Sequence, residues 1–181
     1  PYAAKIPSLG FLFTGQGTQQ TAMARELYES VASFRADIIS FNGIGRSHHL
    51  PSFLPLVTGL EDINALSPIV IQLGTVTIQI ALARLWQNWG LVPQYVLGHS
   101  LGEFAALCIA GVLSISDTIY LTGSRALLLE KKCIAGSYGM LAVKASAAEI
   151  NQILGEVSVE VACLMAHKIL CSVEPILRCN G

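Results

Sequence analysis

Near the middle of the chain, VLGHSLGEF (Val96 to Phe104) sets Gly98-His99-Ser100-Leu101-Gly102 between two apolar runs. No other stretch restricts the fold as strongly. The spacing G-x-S-x-G suits a tight strand-to-helix turn, because glycines flanking the serine remove Cβ clashes. QYVLG before it reads as a strand, and EFAALCIAGVL after it reads as a buried helix. A serine hydroxyl is a poor nucleophile at neutral pH. It has to project into a site, lose its proton to a base, and find donors for the oxyanion that forms. The turn supplies the projection. Leu101 N–H lies at the new helix N-terminus, where it lacks an intrahelical partner and can point at an oxyanion. Ser100 is therefore the candidate nucleophile; the alternative is a purely structural turn.

The pattern around this turn alternates. LGFLFTGQGTQ reads as a short buried strand, Leu9 to Phe13, followed by a Gly-rich turn. TAMARELYESVASFRADIISF reads as one helix, and NGIGRSHHLPS as an exposed loop that leaves His48 and His49 in solvent. Ser67-Pro68 is an N-cap with Pro at the first helical position; that helix should run to about Asn88, with Gly90 at its C-terminal cap. Ser114-Ile115-Ser116-Asp117 resembles a capping box opening a helix to about Lys132. Strand, helix, helix, strand, helix, helix implies an α/β layer with parallel strands. Ala135 to Gly139 reads as a linker. MLAVKA, SAAEINQIL and VSVEVAC then give strand, helix, strand, the start of a smaller α+β unit. Residues 1–135 and 136–163 are the two expected units.

Composition narrows the partners. The 181 residues are 52% hydrophobic and 13% charged, enough for a sizeable core. A net charge of -1 gives no electrostatic case for nucleic acid or an anionic membrane. No charged n-region and apolar h-region open the chain, and the initial Pro1 suggests a piece of something longer. SPIVIQLGTVTIQIALARLW (Ser67 to Trp86) is the most apolar run, but Gln72, Thr75, Thr77, Gln79 and Arg84 interrupt it. It reads as a buried helix of a soluble protein rather than a membrane span. Cys108, Cys133, Cys163, Cys171 and Cys179 form no C-x-x-C pair. Reduced thiols in a cytoplasmic protein are expected, with no zinc site.

Gly15-Gln16-Gly17 after the first strand can bring backbone N–H groups close to a ligand, or can simply end the strand. Combined with the serine turn, it is far more specific. GFLFTGQGTQ followed downstream by GHSLGEFAAL resembles the acyltransferases that load acyl groups onto acyl carrier proteins. That family includes malonyl-CoA:acyl-carrier-protein transacylases and the acyltransferase domains of polyketide synthases. SFLPLVTG, LSPIVIQLGTVTIQIALARLWQNWG, AGVLSISDTIYLTGSRALLLE and MLAVKAS look most like fungal non-reducing, iterative type I synthases. The resemblance covers about residues 8 to 163. It implies an α/β-hydrolase-like large subdomain with a parallel sheet, and the start of a ferredoxin-like small subdomain.

By that resemblance Ser100 is the acylated nucleophile, and the backbone N–H groups of Gln16 and Leu101 form the oxyanion hole. Arg125, in LTGSRALL, falls where the family carries the arginine that binds the malonyl carboxylate. A guanidinium forms a two-bond fork with a carboxylate, and neutral acyl groups would leave it unpaired. The alternative for Arg125 is a helix-surface arginine. Implied with these roles are a coenzyme A thioester as substrate, a carrier-protein phosphopantetheine as acceptor, neighbouring synthase domains as partners, and no bound cofactor or metal. His99 reads as a turn residue, since adjacent side chains diverge.

The family's base is a histidine far downstream; Gly181 precedes that position, and His167 is too early. After VEVAC the family usually continues with an Asn-Gly-Pro turn and a strand ending Val-Leu-Ser-Gly, whereas this chain reads LMAHKILCSVEPILRCNG. Read one nucleotide earlier, the codons for Leu164 to Pro175 can spell Asn-Gly-Pro-Gln-Asn-Leu-Val-Leu-Ser-Gly. The Gly is forced by the Met165 and Ala166 codons. Residues 164–181 are therefore expected to be a frame-shifted tail, with no true strands after Cys163. The expected function is malonyl transfer to a carrier protein, with this truncated piece inactive alone. The rivals are an α/β-hydrolase-type esterase or thioesterase, which leaves the GQG loop and Arg125 unexplained, and a non-catalytic remnant.

Overall fold

The computed structural model describes residues 8–133, 138–143, 145–154, 160–166 and 169–175. Contacts divide the chain into two units, Pro1–Leu127 and Leu128–Gly181.

In the first unit, β1 (Gly10–Phe13) and β2 (Tyr95–Gly98) pair in parallel, with Leu12 opposite Leu97 and Phe13 opposite Gly98. Parallel neighbours need a long crossover. Here it is helical: α1 (Arg25–Ser30), α2 (Ala32–Ser47), α3 (Leu54–Thr58), a 3-10 turn at Ile63–Ala65, and α4 (Pro68–Asn88). After β2 come α5 (Gly102–Ile109) and α6 (Ile115–Lys132).

The apolar run becomes α4, the central helix. Its Leu73, Val76, Ile80 and Ala81 are buried among residues that include Phe34, Phe41, Phe53, Leu56 and Leu101. It is long and apolar enough to cross a membrane, but 72% of its most apolar window is buried inside the protein. Its bounds match those read from Pro68 and Asn88, and Gly90 takes a left-handed φ of 87° just beyond its end. The Ser114 box is formed: Asp117 N–H donates to Ser114 Oγ at 3.0 Å, and Ser114 Oγ–H to Asp117 Oδ2 at 2.6 Å. Ser67 is extended before Pro68, but its side chain makes no capping bond.

Four expectations for this unit need correction. The helix expected over 21–41 is broken at Val31, whose extended backbone (φ -110°, ψ 103°) separates α1 from α2. The expected loop from Asn42 is instead the end of α2. Phe34, Ile38, Phe41 and Gly45 recur on one buried face, so packing outweighs two helix-interior glycines. His48 is half-buried rather than solvated: its Nε2 is 2.9 Å from Ser116 Oγ, and its ring lies against Tyr120. Finally, β1 is not buried on both faces. Phe11 and Phe13 meet the core, while Leu12 is 75% exposed, and Tyr95 and Leu97 each 65%.

The second unit holds β3 (Tyr138–Val143), α7 (Ala147–Leu154), β4 (Glu160–Ala166) and β5 (Ile169–Pro175). The strands form an antiparallel sheet in the order β3-β5-β4. The expected strand, helix, strand is present, but β3 begins inside the expected linker. The strand pattern also continues past Cys163, through Ala166 and into β5, where none was expected. His167 and residues 176–181 lie outside the described residues.

Candidate active site

Ser100 stands between the end of β2 and the start of α5. Its φ is 52°, in the left-handed region that side chains other than Gly seldom adopt. Such a residue stores about 1–3 kcal/mol, and persists only where its surroundings fix it. Those surroundings are a tight set of backbone bonds: Gly102 N–H donates to His99 O at 2.9 Å, Glu103 N–H to Ser100 O at 3.0 Å, and His99 N–H to Phe13 O at 3.0 Å. The last bond ties the serine turn to the end of β1. Ser100 itself is exposed.

The two flanking glycines permit close approach rather than unusual dihedrals; the positive φ falls on Ser100 itself. A Cβ on Gly98 would lie 2.4 Å from Glu103 Cα and 2.5 Å from Gly102 O. A Cβ on Gly102 would lie 2.3 Å from Phe13 O and 2.7 Å from Thr14 O. Every one of these neighbours is backbone, so none can rotate away. G-x-S-x-G here is the condition for α5 to start hard against both strands.

The GQG loop meets the serine turn directly. A Cβ on Gly15 would sit 3.3 Å from Ser100 Cβ, 3.1 Å from His99 O and 3.3 Å from His99 Nδ1. The loop and the serine turn thus line a common cleft of about 430 Å³ with Leu12, Phe13, Thr14, Gly15, Gln16, Thr18, Leu97, Gly98 and His99. Gly17 has φ 117°, and its N–H donates to Gln19 Oε1 at 2.7 Å. Among the described residues, neither Gln16 N–H nor Leu101 N–H has a backbone partner. Leu101 anchors the turn, with its side chain 1% exposed. Of the residues singled out by sequence, Ser100 and Leu101 adjoin in the turn, and Gln16 follows Gly15, which packs against Ser100.

Arg125 is held elsewhere in the same unit. It lies on α6, half-buried, and its Nη1 donates to Gln72 Oε1 on α4 at 2.7 Å. Gln72 is only 3% exposed, a polar side chain deep in an apolar helix. By sequence alone Gln72 is merely an interruption of the apolar run. The described residues give Arg125 no carboxylate partner; their only ion pair is Arg84 with Asp37 at 3.2 Å. A guanidinium oriented by a neutral amide keeps its charge available for an anion. No hydrogen bond among the described residues joins Arg125 to the serine turn.

None of the described histidines hydrogen-bonds Ser100: His48 is engaged with Ser116, and the His99 ring lies beside Gly15. Cys108 is half-buried against the core, its thiol pushed above its ordinary range chiefly by burial, and it is free, as is Cys133.

Comparison with known proteins agrees with this geometry. The acyl transferase domain family matches residues 10–172. The non-reducing polyketide synthase aoiG of Aspergillus oryzae is 67% identical over 164 residues, which is 91% of this chain and 8% of that protein. The acyltransferase domain from the second module of the salinomycin polyketide synthase superposes with a TM-score of 0.83 at 29% identity, covering 94% of this chain and 40% of that one. The acyltransferase domain of the polyketide synthase PpsC of Mycobacterium tuberculosis gives 0.82 at 25% identity, covering 93% and 50%. This chain is therefore a small part of its curated relatives and up to half of the solved domains named here. With its serine turn, its GQG loop and these likenesses, the chain belongs to the acyltransferase domain family of polyketide synthases.

Proposed function

We propose that the domain carrying these residues moves malonyl units from coenzyme A to a carrier protein through an acyl-Ser100 enzyme. The observation that carries this reading is Ser100 at φ 52°, projecting from a strand-to-helix turn with the GQG loop against it. In the first half-reaction Ser100 Oγ attacks the thioester carbonyl. Its proton passes to a base, the C–S bond breaks, and the coenzyme A sulfur takes the proton as it leaves. In the second half-reaction a phosphopantetheine thiol of a carrier-protein domain attacks the acyl-serine, and Ser100 recovers its proton. Gln16 and Leu101 N–H groups hold the carbonyl oxygen while it is negative. No bound cofactor or metal takes part, and neighbouring synthase domains supply the setting in the cytoplasm. The base, by family resemblance a histidine, is not among the described residues that touch Ser100.

Arg125 selects for malonyl. Its guanidinium would pair with the free carboxylate of the substrate, and Gln72 would fix its orientation. Losing such a charge-assisted bond costs roughly 1.5–3 kcal/mol, or about ten- to a hundredfold in rate. Arg125→Ala in a complete acyltransferase domain is expected to lower malonyl transfer by that factor and leave acetyl transfer much less affected. Equal losses with both acyl groups would make Arg125 structural.

A further inference from the structure

α4 carries another amide side chain besides Gln72: Gln79, between the buried Ile78 and Ile80. Its Nε2 donates to Thr14 O at 2.9 Å and lies 3.4 Å from Thr14 Oγ1. The orientation of the amide is settled by chemistry, because a carbonyl oxygen can only accept, so the NH2 end must face it. The other end is poorly provided for: among the described residues, Gln79 Oε1 is buried without a hydrogen-bond partner. A side chain kept only for packing in so apolar a stretch needs no amide, and an unpaired buried oxygen counts against stability. The useful half of Gln79 is its donor.

That donor grips the first residue of the GQG loop. Thr14 O is the carbonyl of the peptide joining Thr14 to Gly15, and the next peptide bears Gln16 N–H. Thr14 O also faces the serine turn, 2.7 Å from where a Cβ on Gly102 would stand. Thr14 Oγ1 lies 3.3 Å from Thr18 Oγ1, so the same residue also ties the loop's far end. Between these fixed points, Gly15 and Gly17 leave the intervening backbone with few restraints of its own.

We propose that Gln79 is a positioning residue for the oxyanion hole: by holding Thr14 O it sets the direction of Gln16 N–H toward the Ser100 carbonyl adduct. This rests on reading Gln16 N–H as an oxyanion donor. A donor a fraction of an ångström off line weakens stabilisation of the transition state and leaves ground-state binding alone.

The test uses the complete acyltransferase domain, with malonyl-CoA as the probe and rapid-quench mass spectrometry to follow acylation. Gln79→Met and Gln79→Leu both remove the donor, and the first keeps nearly the length of the side chain. Each is expected to lower the acylation rate constant about tenfold, less than the ~10²–10³ for outright loss of an oxyanion donor, with KM for malonyl-CoA unchanged. Gln16→Pro deletes the N–H itself, at a residue without positive φ. In that background the Gln79 substitutions should add nothing, since groups acting through one another are not additive. Independent multiplication of the two losses, a rise in KM alone, unchanged rates in the Gln79 variants, or loss of folding in both of them would each overturn the proposal. Unchanged acylation in Gln16→Pro would instead overturn the oxyanion-hole reading, and the proposal with it. A slow Gln16→Pro beside normal Gln79 variants would remove the proposal alone.

Discussion

Gly102→Ala places a methyl group where the structure has no room. Its carbon would be 2.3 Å from Phe13 O, 2.6 Å from Phe13 C and 2.7 Å from Thr14 O. Carbon-to-oxygen contacts settle at about 3.3–3.6 Å, so the start of α5 and the end of β1 must part by about 1 Å. Neither side can yield by rotating a side chain. The His99 N–H bond to Phe13 O stretches, and the GQG loop moves away from Ser100. Overpacking of this kind costs roughly 1–3 kcal/mol of stability. The catalytic consequence is larger, since a misplacement of about 1 Å can cost on the order of 10²-fold in rate. The assay is single-turnover acylation of a complete domain by malonyl-CoA, with thermal unfolding measured beside it. Gly43→Ala is the control: nothing lies within 4 Å of its Cβ, and it sits in α2. There alanine should gain about 0.5–1 kcal/mol of stability and leave acylation unchanged. Parent-like acylation in Gly102→Ala would refute the claim that close backbone approach builds the site.

Asp37 has its carboxyl pushed above the usual range, by burial first and against the pull of Arg84. A raised folded-state pKa means its stabilising contribution is present below the unfolded value and is lost as pH rises through the folded one. Asp37→Asn should therefore be neutral or slightly stabilising at pH 7 and should flatten the acid side of the stability profile; clear destabilisation at pH 7 would count against this. The 181-residue segment alone should transfer no malonyl above a Ser100→Ala control, because no described histidine reaches Ser100, and the bare Leu12, Tyr95 and Leu97 face should make it prone to aggregate. Turnover by a soluble monomeric segment would contradict both statements.

The serine turn was legible because its chemistry is local. Spacing and flanking strand and helix patterns were enough to place Ser100 and Leu101, and the capping residues placed both ends of α4. By sequence the glycines relieve the turn itself; the structure shows them as points of contact between elements distant in sequence, such as Gly102 with Phe13. Asn42 to Ser47 misled for a related reason. Two glycines signal a loop by propensity, but Gly45 packs close to Ile119, and tertiary burial decided for helix. Gln72 and Gln79 were invisible as functional residues, because their partners Arg125 and Thr14 are 53 and 65 positions away. In an apolar run, only a polar residue with no obvious reason to be there hints at such a bond. β5 was missed because its sequence lies past the point where the resemblance was expected to end.

The central claim is that Ser100 carries the acyl group. Brief incubation of a complete domain with malonyl-CoA, followed by proteolysis and mass spectrometry, tests it most directly. A malonyl adduct on the peptide containing Ser100, absent from Ser100→Ala and discharged by a carrier-protein phosphopantetheine thiol, is the expected result. An adduct that survives the substitution, or transfer without any adduct on Ser100, would contradict it.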